Sequence, residues 1–408
     1  MKILYFHQHF TTPKGSSGTR SYEFAQVLIR RGHQVTMVCG QMDRDSLNLP
    51  FDEKRGWSRG LIDGIDVIAL PLSYSNHDGI GRRLITFFKY ALKSIKIALD
   101  FEYDVVFATS TPLTAALPGI FASWLKGKNF IFEVRDLWPE LPKAMGMKNP
   151  ILLGGMWAIE GCAYRASSAC VGLSPGIVQG IRHRSAKNHP IALIPNGCDL
   201  EIFKPQPKFI IKIEGIKEGD FVAGFTGAHG KANGLDAIIE AARELKKRNI
   251  QNIKFLLIGD GSEKARLQKL ATQEQLDCVI FHPPISKLAL AQITSQLDCG
   301  LMFLDNIPAF YYGTSPNKFF DYISAGIPVI NNYPGWLAGM ITENQCGVAI
   351  PPKDTRALVD TLITLSREPS SCMKMGQSAR MLAEKEFSRE KLANQFCDFI
   401  EHQSRLSA

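Results

Sequence analysis

The sequence predicts an α/β protein built from two doubly wound domains, each a parallel sheet with helices on both faces. Three observations predict it. At 408 residues the chain exceeds what one compact core holds and suits two domains of ordinary size. Short runs rich in β-branched residues alternate with helical stretches. The runs are nearly continuous in apolar side chains, as parallel strands buried on both faces require. Midway the alternation stops at a turn-rich, proline-rich stretch and then restarts.

In the first half the strand-like runs are residues 2–7, 34–39, 65–70, 104–108, 130–134, 169–173 and 191–194, with helical patterns such as 21–31 and 84–99 between them. The uncharged stretch 105–125 is long enough to cross a bilayer, but Ser110-Thr111-Pro112 and Pro118-Gly119 divide it into strand, turn and helix. The interruption is Pro195-Asn196-Gly197-Cys198-Asp199, followed by Lys204-Pro205-Gln206-Pro207. It sets an expected first domain of 1–205 and a second of 206–387, with strands at 221–226, 253–258, 279–281, 299–303, 328–331 and 348–350. A helical stretch at 388–403 is expected to pack back on the first domain. Two such domains facing each other place the carboxyl ends of both sheets on a central cleft, the edge where open α/β sheets bind ligands.

Composition narrows the class. With 45% hydrophobic and 21% charged residues, the chain buries its cores without help from metals or disulfides. Forty-seven basic residues against 39 acidic ones give a formal net charge of +8. That charge favours anionic partners such as phosphates, nucleic acid or an acidic membrane surface; in the reading as a whole nucleic acid is not an expected partner. The nine cysteines are odd in number, lack CxxC spacing and lie mostly in apolar segments, as reduced thiols of a cytoplasmic protein do. The opening residues read as a buried strand entering His7-Gln8-His9, without the basic start and cleavage site of a signal peptide. No HExxH, paired-cysteine or clustered-histidine pattern is present, so no metal and no cofactor are expected. GxxxxGK[ST] and GxSxG are also absent. Asp43-Arg44-Asp45 has DxD spacing but falls in a polar loop far from the phosphate loops.

The residues that carry chemistry cluster at strand ends. Strand 221–226 runs into Gly227-Ala228-His229-Gly230-Lys231-Ala232-Asn233-Gly234 and then a helix. A glycine turn at a helix start exposes backbone N–H groups beside the positive end of the helix dipole, where a diphosphate fits. Gly230 lets it approach, and Lys231 or His229 can add a donor. Farther on, Ser315 and Pro316 open a second helix with Asn317 and Lys318 in its first turn. A lysine there opposes the dipole, a conflict that an anionic ligand removes. Asp321, one turn on, is placed to accept hydrogen bonds from ribose hydroxyls, although the same spacing suits a surface ion pair.

In the first half, Gly15-Ser16-Ser17-Gly18-Thr19-Arg20 follows the first strand. Gly15 and Gly18 admit a ligand close to the backbone, and Arg20 can hold a phosphate or carboxylate. The loop lacks the GxGxxG spacing of nicotinamide-dependent reductases. Glu133, Arg135 and Asp136 end another strand, where catalytic groups usually sit, or equally form an ion-pair network at a domain edge. Residues 81–99 form a basic amphipathic helix. Leu84, Phe87, Phe88, Ala91, Ile95 and Leu99 share one side, with Arg82, Arg83, Lys89, Lys93 and Lys96 beside them. It can rest on anionic headgroups, or pack on the core with a solvated basic face.

Together these segments resemble the retaining family 4 of GT-B glycosyltransferases over nearly the whole chain. The matching pieces are residues 15–20, Arg31-Gly32-His33-Gln34-Val35, Ile194-Pro195-Asn196-Gly197-Cys198-Asp199, Leu257-Ile258-Gly259-Asp260-Gly261 and residues 321–328. Within the family, residues 132–140 are similar to those of bacterial enzymes that build surface polysaccharide or O-antigen repeats. The resemblance implies two Rossmann-like domains, the donor bound mainly by the second and the acceptor by the first, and transfer with retention and no metal. It implies that Asp321 is the second acid of the family's E-x7-E motif, which holds the ribose. Gly313 stands where the first acid belongs, Ala228 and Asn233 where the family has Arg and Lys, and Arg135 where it has His before Asp136. Lys231 or Lys318 must then supply the missing charge.

The expected reaction is transfer from a nucleotide-diphosphate sugar to a lipid-linked or polysaccharide acceptor, such as a polyprenyl-diphosphate-linked glycan met near residues 82–96. The expected site is the cytoplasmic, inner face of the plasma membrane, with peripheral attachment. Two rivals stand beside it. An epimerase of the same architecture converts donor without acceptor. A non-catalytic nucleotide-sugar scaffold is favoured by the missing acid and the missing basic pair.

Overall fold

The computed structural model describes residues 1–15, 18–41, 47–73, 78–207 and 212–406. The Asp43-Arg44-Asp45 motif lies outside the described residues. The chain divides into two compact units, one of Met1–Pro195, Gly313–Ser315 and Glu390–Ala408, the other of Asn196–Tyr312 and Pro316–Arg389.

The first unit carries β1 (Lys2–Phe6), β2 (Gln34–Gly40), β3 (Phe51–Asp52), β4 (Trp57–Ile62), β5 (Ile65–Leu70), β6 (Val105–Thr109), β7 (Asn129–Val134), β8 (Ala169–Gly172) and β9 (Ile191–Leu193). They form one sheet in the order β3-β4-β5-β2-β1-β6-β7-β8-β9. Its helices include α1 (Arg20–Arg30), α2 (Ile80–Asp100), α3 (Leu117–Lys126), α4 (Glu140–Ala144), α5 (Pro150–Ala166) and α6 (Pro175–Arg184). Pairing from β5 through β9 is parallel. Connections lead to opposite sides of β1, and this switch leaves the carboxyl ends of β1 and β6 open to a ligand.

One edge of the sheet departs from the wholly parallel pattern, where β3 pairs antiparallel with β4. β4 runs antiparallel to β5 through Asp63 and Gly64, whose φ angles are 48° and 84°. An Asp-Gly pair tolerates that left-handed turn, and its twist suits a hairpin. The sequence reading misses β4 because the strand is partly exposed and alternates, unlike its continuous apolar neighbours. The Asp63-Gly64 dipeptide is its one clear mark.

The core of this unit joins strand residues such as Phe6, Val38, Val106 and Phe132 to Tyr90 of α2, Ile120 of α3 and Tyr164 of α5. Tyr90 Oη, buried there, donates to the Val38 carbonyl at 2.7 Å. α3 lies close on the sheet because Gly119 carries no side chain: a Cβ there would stand 2.2 Å from the Phe130 ring.

The second unit carries β10 (Phe221–Thr226), β11 (Ile253–Ile258), β12 (Val279–His282), β13 (Cys299–Met302), β14 (Val329–Asn331) and β15 (Gly347–Ala349). They form a parallel sheet in the order β12-β11-β10-β13-β14-β15. Around it lie α7 (Asp236–Lys247), α8 (Lys264–Gln273), α9 (Lys287–Thr294), α10 (Pro308–Gly313), α11 (Asn317–Ser324), α12 (Trp336–Glu343), α13 (Thr355–Arg367) and α14 (Pro369–Glu386). Both faces are buried. In β11, Phe255 and Leu257 enter one core with residues of α7 and α13, while Leu256 and Ile258 enter another with Phe320 and Tyr322 of α11.

The last helix, α15 (Arg389–Leu406), brings Phe396 against Phe24 of α1, with ring centroids 4.3 Å apart. Phe396 also meets Phe107 edge-on at 4.9 Å. Arg31 pairs with Asp398 at 2.6 Å beside them.

Candidate functional site

At the carboxyl edge of the second sheet, β10 leaves through Gly227, whose φ of 129° favours glycine. Main-chain bonds pin the loop that follows. His229 N donates to the Asp260 carbonyl at 2.8 Å, and Glu263 N donates to the His229 carbonyl at 2.9 Å. The two loops interlock because Gly261 is bare: a Cβ there would lie 2.6 Å from the His229 backbone. A short 3-10 turn, Lys231–Asn233, comes next and ends at Gly234, with φ 57°. A Cβ on Gly234 would lie 2.9 Å from the Asp305 backbone, so the loop also presses on the segment after β13. At Gly230 a Cβ would meet only the Asn233 side chain, 3.8 Å away, and the backbone there is open to a ligand.

α11 brings the charge. A Cβ on Gly300 would lie 2.4 Å from the Tyr322 ring, so bare glycine lets the helix settle on β13. Tyr322 Oη then accepts from Thr226 N at 2.9 Å, fixing α11 to the end of β10. This sets Lys318, in the first turn, beside the glycine loop. Its Nζ donates to Asn233 Oδ1 at 3.0 Å and stands 3.8 Å from the centre of the Phe225 ring. Burial pulls its pKa down to about 7.

Asp321 faces a different set of groups. Lys287 and Arg389 both pair with Asp199. Burial is the main cause that pushes Asp321 up to about 7; Lys287 and Arg389 oppose it, and Asp199 adds to it. Lys231 is exposed, and Ser315 and Asn317 are half-buried at the start of α11. The His229 ring lies between Phe225 and Phe281, and neither of its nitrogens finds a hydrogen-bond partner among the described residues. Burial and then Lys264 lower its pKa, to about 4, so the ring stays neutral.

In the first unit, the singled-out residues gather at the adjacent ends of β1, β6 and β7. Arg20 and Glu133 are both buried and joined to each other. Arg20 Nε and Nη2 donate to Glu133 Oε1 at 3.0 and 2.8 Å, while Thr109 Oγ1 donates to Oε2 at 2.6 Å. The same guanidinium donates to the carbonyls of Ile194 and Pro195 and lies over the Phe24 ring. Asp136, just past β7, is half-buried and accepts from Thr111 Oγ1 at 3.2 Å. Burial raises its pKa, and Arg135 and Thr111 pull it back.

Arg135 is held by its backbone N–H, which donates to Ser110 Oγ at 2.8 Å. Its charge reaches His7 and His9, just beyond β1, and helps to keep both neutral after burial, the larger cause. His9 meets Phe87 of α2 edge-on at 6.3 Å, and Arg83 adds to the lowering of its pKa to about 4. The sequence reading places His7 and His9 only at the end of a strand. The signal that finds them is position, since they follow β1 as Arg135 and Asp136 follow β7. Gly15 lies in a tight turn where a Cβ would stand 2.1 Å from Thr11 Oγ1, and Gly18 is exposed.

Two family models match the chain, one for each unit: a glycosyl transferase 4-like domain over residues 15–197 and glycosyl transferases group 1 over residues 207–381. The chain belongs to the group 1, family 4 glycosyltransferases. The chain is 28% identical over 179 residues to WcaI of Escherichia coli K12, a glycosyl transferase assigned to colanic acid biosynthesis. That match covers 43% of this chain and 42% of WcaI, and the chain spans less than half the length of the curated relatives it matches. Sucrose-phosphate synthase from Thermosynechococcus elongatus superimposes with a TM-score of 0.75 at 17% identity, over 98% of both chains. HepE of Anabaena, solved in complex with UDP and glucose, does so with 0.68 at 16% identity, over 98% of this chain and 99% of that one. At these identities the likeness is one of fold: two Rossmann-like, parallel-sheet domains of GT-B type.

Against the family's motif, Gly313 ends α10, and a Cβ there would meet nothing within 4 Å. Asn233, in place of the family's Lys, holds the ammonium of Lys318 instead. On α2, Arg82, Lys89, Lys93 and Lys96 are exposed, while Arg83 is half-buried. Phe88 is exposed with Ile85 and Leu92; Tyr90, Ala91, Ile97 and Ala98 face the core. Among the described residues, no helix is long and apolar enough to cross a membrane. Nor do three or more His, Cys, Asp or Glu side chains gather to hold a metal ion.

Proposed function

We propose that this glycosyltransferase moves a sugar from a nucleotide-diphosphate sugar to an acceptor with retention of configuration, the second unit holding the donor and the first the acceptor. One observation carries the reading: Lys318 is held on Asn233 at an open glycine loop, with no ion pair among the described residues. A diphosphate on Gly230 and the first turn of α11, at Asn317, supplies that lysine's counter-charge. As the glycosidic bond breaks, charge grows on the leaving phosphate, and donors already in place stabilise it without reorganising. Exposed Lys231 adds to the field, and Asp321 accepts from the ribose hydroxyls. The UDP bound by HepE supports a nucleoside-diphosphate donor.

In the first unit, Arg20 and Glu133 are taken up by each other and by main-chain carbonyls, which leaves Asp136, with Arg135, to orient the acceptor hydroxyl or the sugar. The exposed cations of α2 support an acceptor presented at an anionic membrane, such as a polyprenyl-diphosphate-linked glycan on the cytoplasmic face. WcaI's assignment to colanic acid biosynthesis supports polysaccharide or O-antigen assembly as the setting.

The test is titration calorimetry with UDP, GDP, dTDP and their sugars. One nucleotide is expected to bind at least about tenfold more tightly than the others, a difference of about 1.4 kcal/mol, and Lys318→Ala is expected to weaken that binding without abolishing it. Binding of none of them would remove the reading. Gly313, Ala228 and Asn233 favour a second one, a scaffold that binds donor but releases no free nucleotide when supplied with lipid-linked acceptors. An epimerase would convert the donor in the same assay without any acceptor.

A further inference from the structure

α2, α3 and α5 form one layer on the first sheet, with α3 packed against both of the others. Tyr90, Ile120 and Tyr164 on their inner sides share one core. Their outer sides are unusual. Eight of the sixteen exposed large apolar side chains among the described residues fall on this layer or on Met145 just before α5, a share far above its length. Leu92 is 67% exposed, Ile151 83% and Trp157 59%. Contiguous apolar surface of this kind marks an interaction site.

α5 carries no charge from Ile151 to Ile159, yet Ile151, Gly154, Gly155, Trp157 and Ala158 are exposed. A helix apolar on all sides is normally enclosed by protein or lipid. Cations border it: Lys143 and Lys148 precede α5, and α2 exposes Lys89, Lys93 and Lys96. At about 100° per residue, Ile85, Phe88 and Leu92 lie within about 60° of one another, with those lysines along their flank. Of the nearby acids, Asp78 pairs with Arg82 and Glu140 with Arg184. Apolar side chains flanked by one sign of charge suit a bilayer interface, where lysine stems reach the headgroups while the apolar chains enter the acyl boundary.

We propose that the α2–α3–α5 layer seats the protein on an anionic bilayer, with α5 as the apolar anchor and the lysines of α2 as the electrostatic one. This deepens the membrane reading above, which rests on α2 alone. Broad apolar area combined with cations of a single sign favours a lipid surface over a protein partner.

The full chain is tested by sedimentation with phosphatidylcholine vesicles, with and without phosphatidylglycerol, and with brominated acyl chains. The parent is expected to bind the anionic vesicles. Ile151→Glu with Trp157→Glu is expected to lower partitioning about tenfold or more at every salt concentration. Lys89→Glu with Lys93→Glu is expected to lower it at low salt only. Brominated lipid is expected to quench tryptophan emission, less so in Trp157→Phe and Trp124→Phe and unchanged in Trp336→Phe, which lies in the other unit. Partitioning unaffected by the α5 variant, or quenching unaffected by both tryptophan variants, overturns the proposal. So does a parent that ignores vesicles but forms a dimer which the α5 variant dissolves, since the layer is then a protein interface. Calorimetric melting of the first unit reports that each variant is folded, and nucleotide binding is measured on the same samples. Its absence in the parent would sink the transferase reading and leave the vesicle result standing.

Discussion

Lys318 is half-buried and, among the described residues, no carboxylate pairs with it, so burial makes its ammonium costly and its pKa falls to about 7. A bound diphosphate raises that pKa again. Affinity is therefore full below pH 7, where the lysine is already protonated. It declines above pH 7, where binding must also take up a proton. Asp321, pushed up to about 7, acts in the opposite sense: it is charged above pH 7, and below it must lose a proton before both its oxygens can accept from ribose. Affinity for a nucleotide sugar is expected to peak near pH 7 and to fall on each side by up to about tenfold per pH unit. Calorimetry across pH checks this. Lys318→Met should lose the alkaline limb and Asp321→Asn the acid limb; both limbs surviving in both variants would remove these groups from the site. For turnover, Lys318→Ala is expected to cost on the order of a hundred- to a thousandfold in kcat.

Arg20 and Glu133 are the opposite kind of pair, closed on each other inside the core. Removing one strands the charge of the other, so Arg20→Ala is expected to lower unfolding stability by about 3–5 kcal/mol. Chemical denaturation checks it. Lost activity at unchanged stability would make Arg20 a ligand residue instead.

At the scale of elements, the donor loop depends on two glycines in different ways. Gly234 has a left-handed φ and backbone within 2.9 Å of where a Cβ would be, so Gly234→Ala strains the loop whatever is bound. Gly230 has open space, so Gly230→Ala changes no packing and intrudes only on a ligand. The expected outcome is a pair: Gly234→Ala lowers the melting temperature and weakens nucleotide binding, while Gly230→Ala weakens binding alone. Equal effects of the two on melting would show that the loop's shape is not set by this contact. α11 is held in the same economical way. Bare Gly300 admits the Tyr322 ring, and Tyr322 in turn fixes the helix that carries Lys318.

At the scale of the molecule, each unit has its own hydrophobic cores, and among the described residues those of the second draw on residues from Cys198 to Phe387. A fragment of residues 196–389 is expected to fold alone and bind nucleotide within about tenfold of the full chain. In calorimetry of the full chain, nucleotide at about a hundred times its Kd should stabilise the second unit by about 2.7 kcal/mol and leave the first unit's transition in place. A fragment that unfolds, or a shift of both transitions together, would show that the units are not independent in stability.

Much of the fold was legible in single stretches of sequence. The apolar runs mark all but two of the strands, because a parallel strand buried on both faces needs apolar side chains at nearly every position, a property of a short window. The glycine loop after β10 and the helix start at Pro316 were legible for the same reason, since left-handed turns and helix caps are chosen by their own residues. β4 escaped because an alternating, partly exposed strand has no such signature. What only the tertiary structure decided is which charges meet. Arg20 finds Glu133 across 113 positions, and Lys318 rather than Lys231 stands on Asn233 across 85. His9 joins Arg135 because β1 and β7 both flank β6. Phe88 and Ala91, on one side of the helical pattern, are likewise separated only when the layer is assembled, Phe88 outward and Ala91 inward. Burial and charge are acts of neighbours, and the order of strands in a sheet, which no local window contains, decides who the neighbours are.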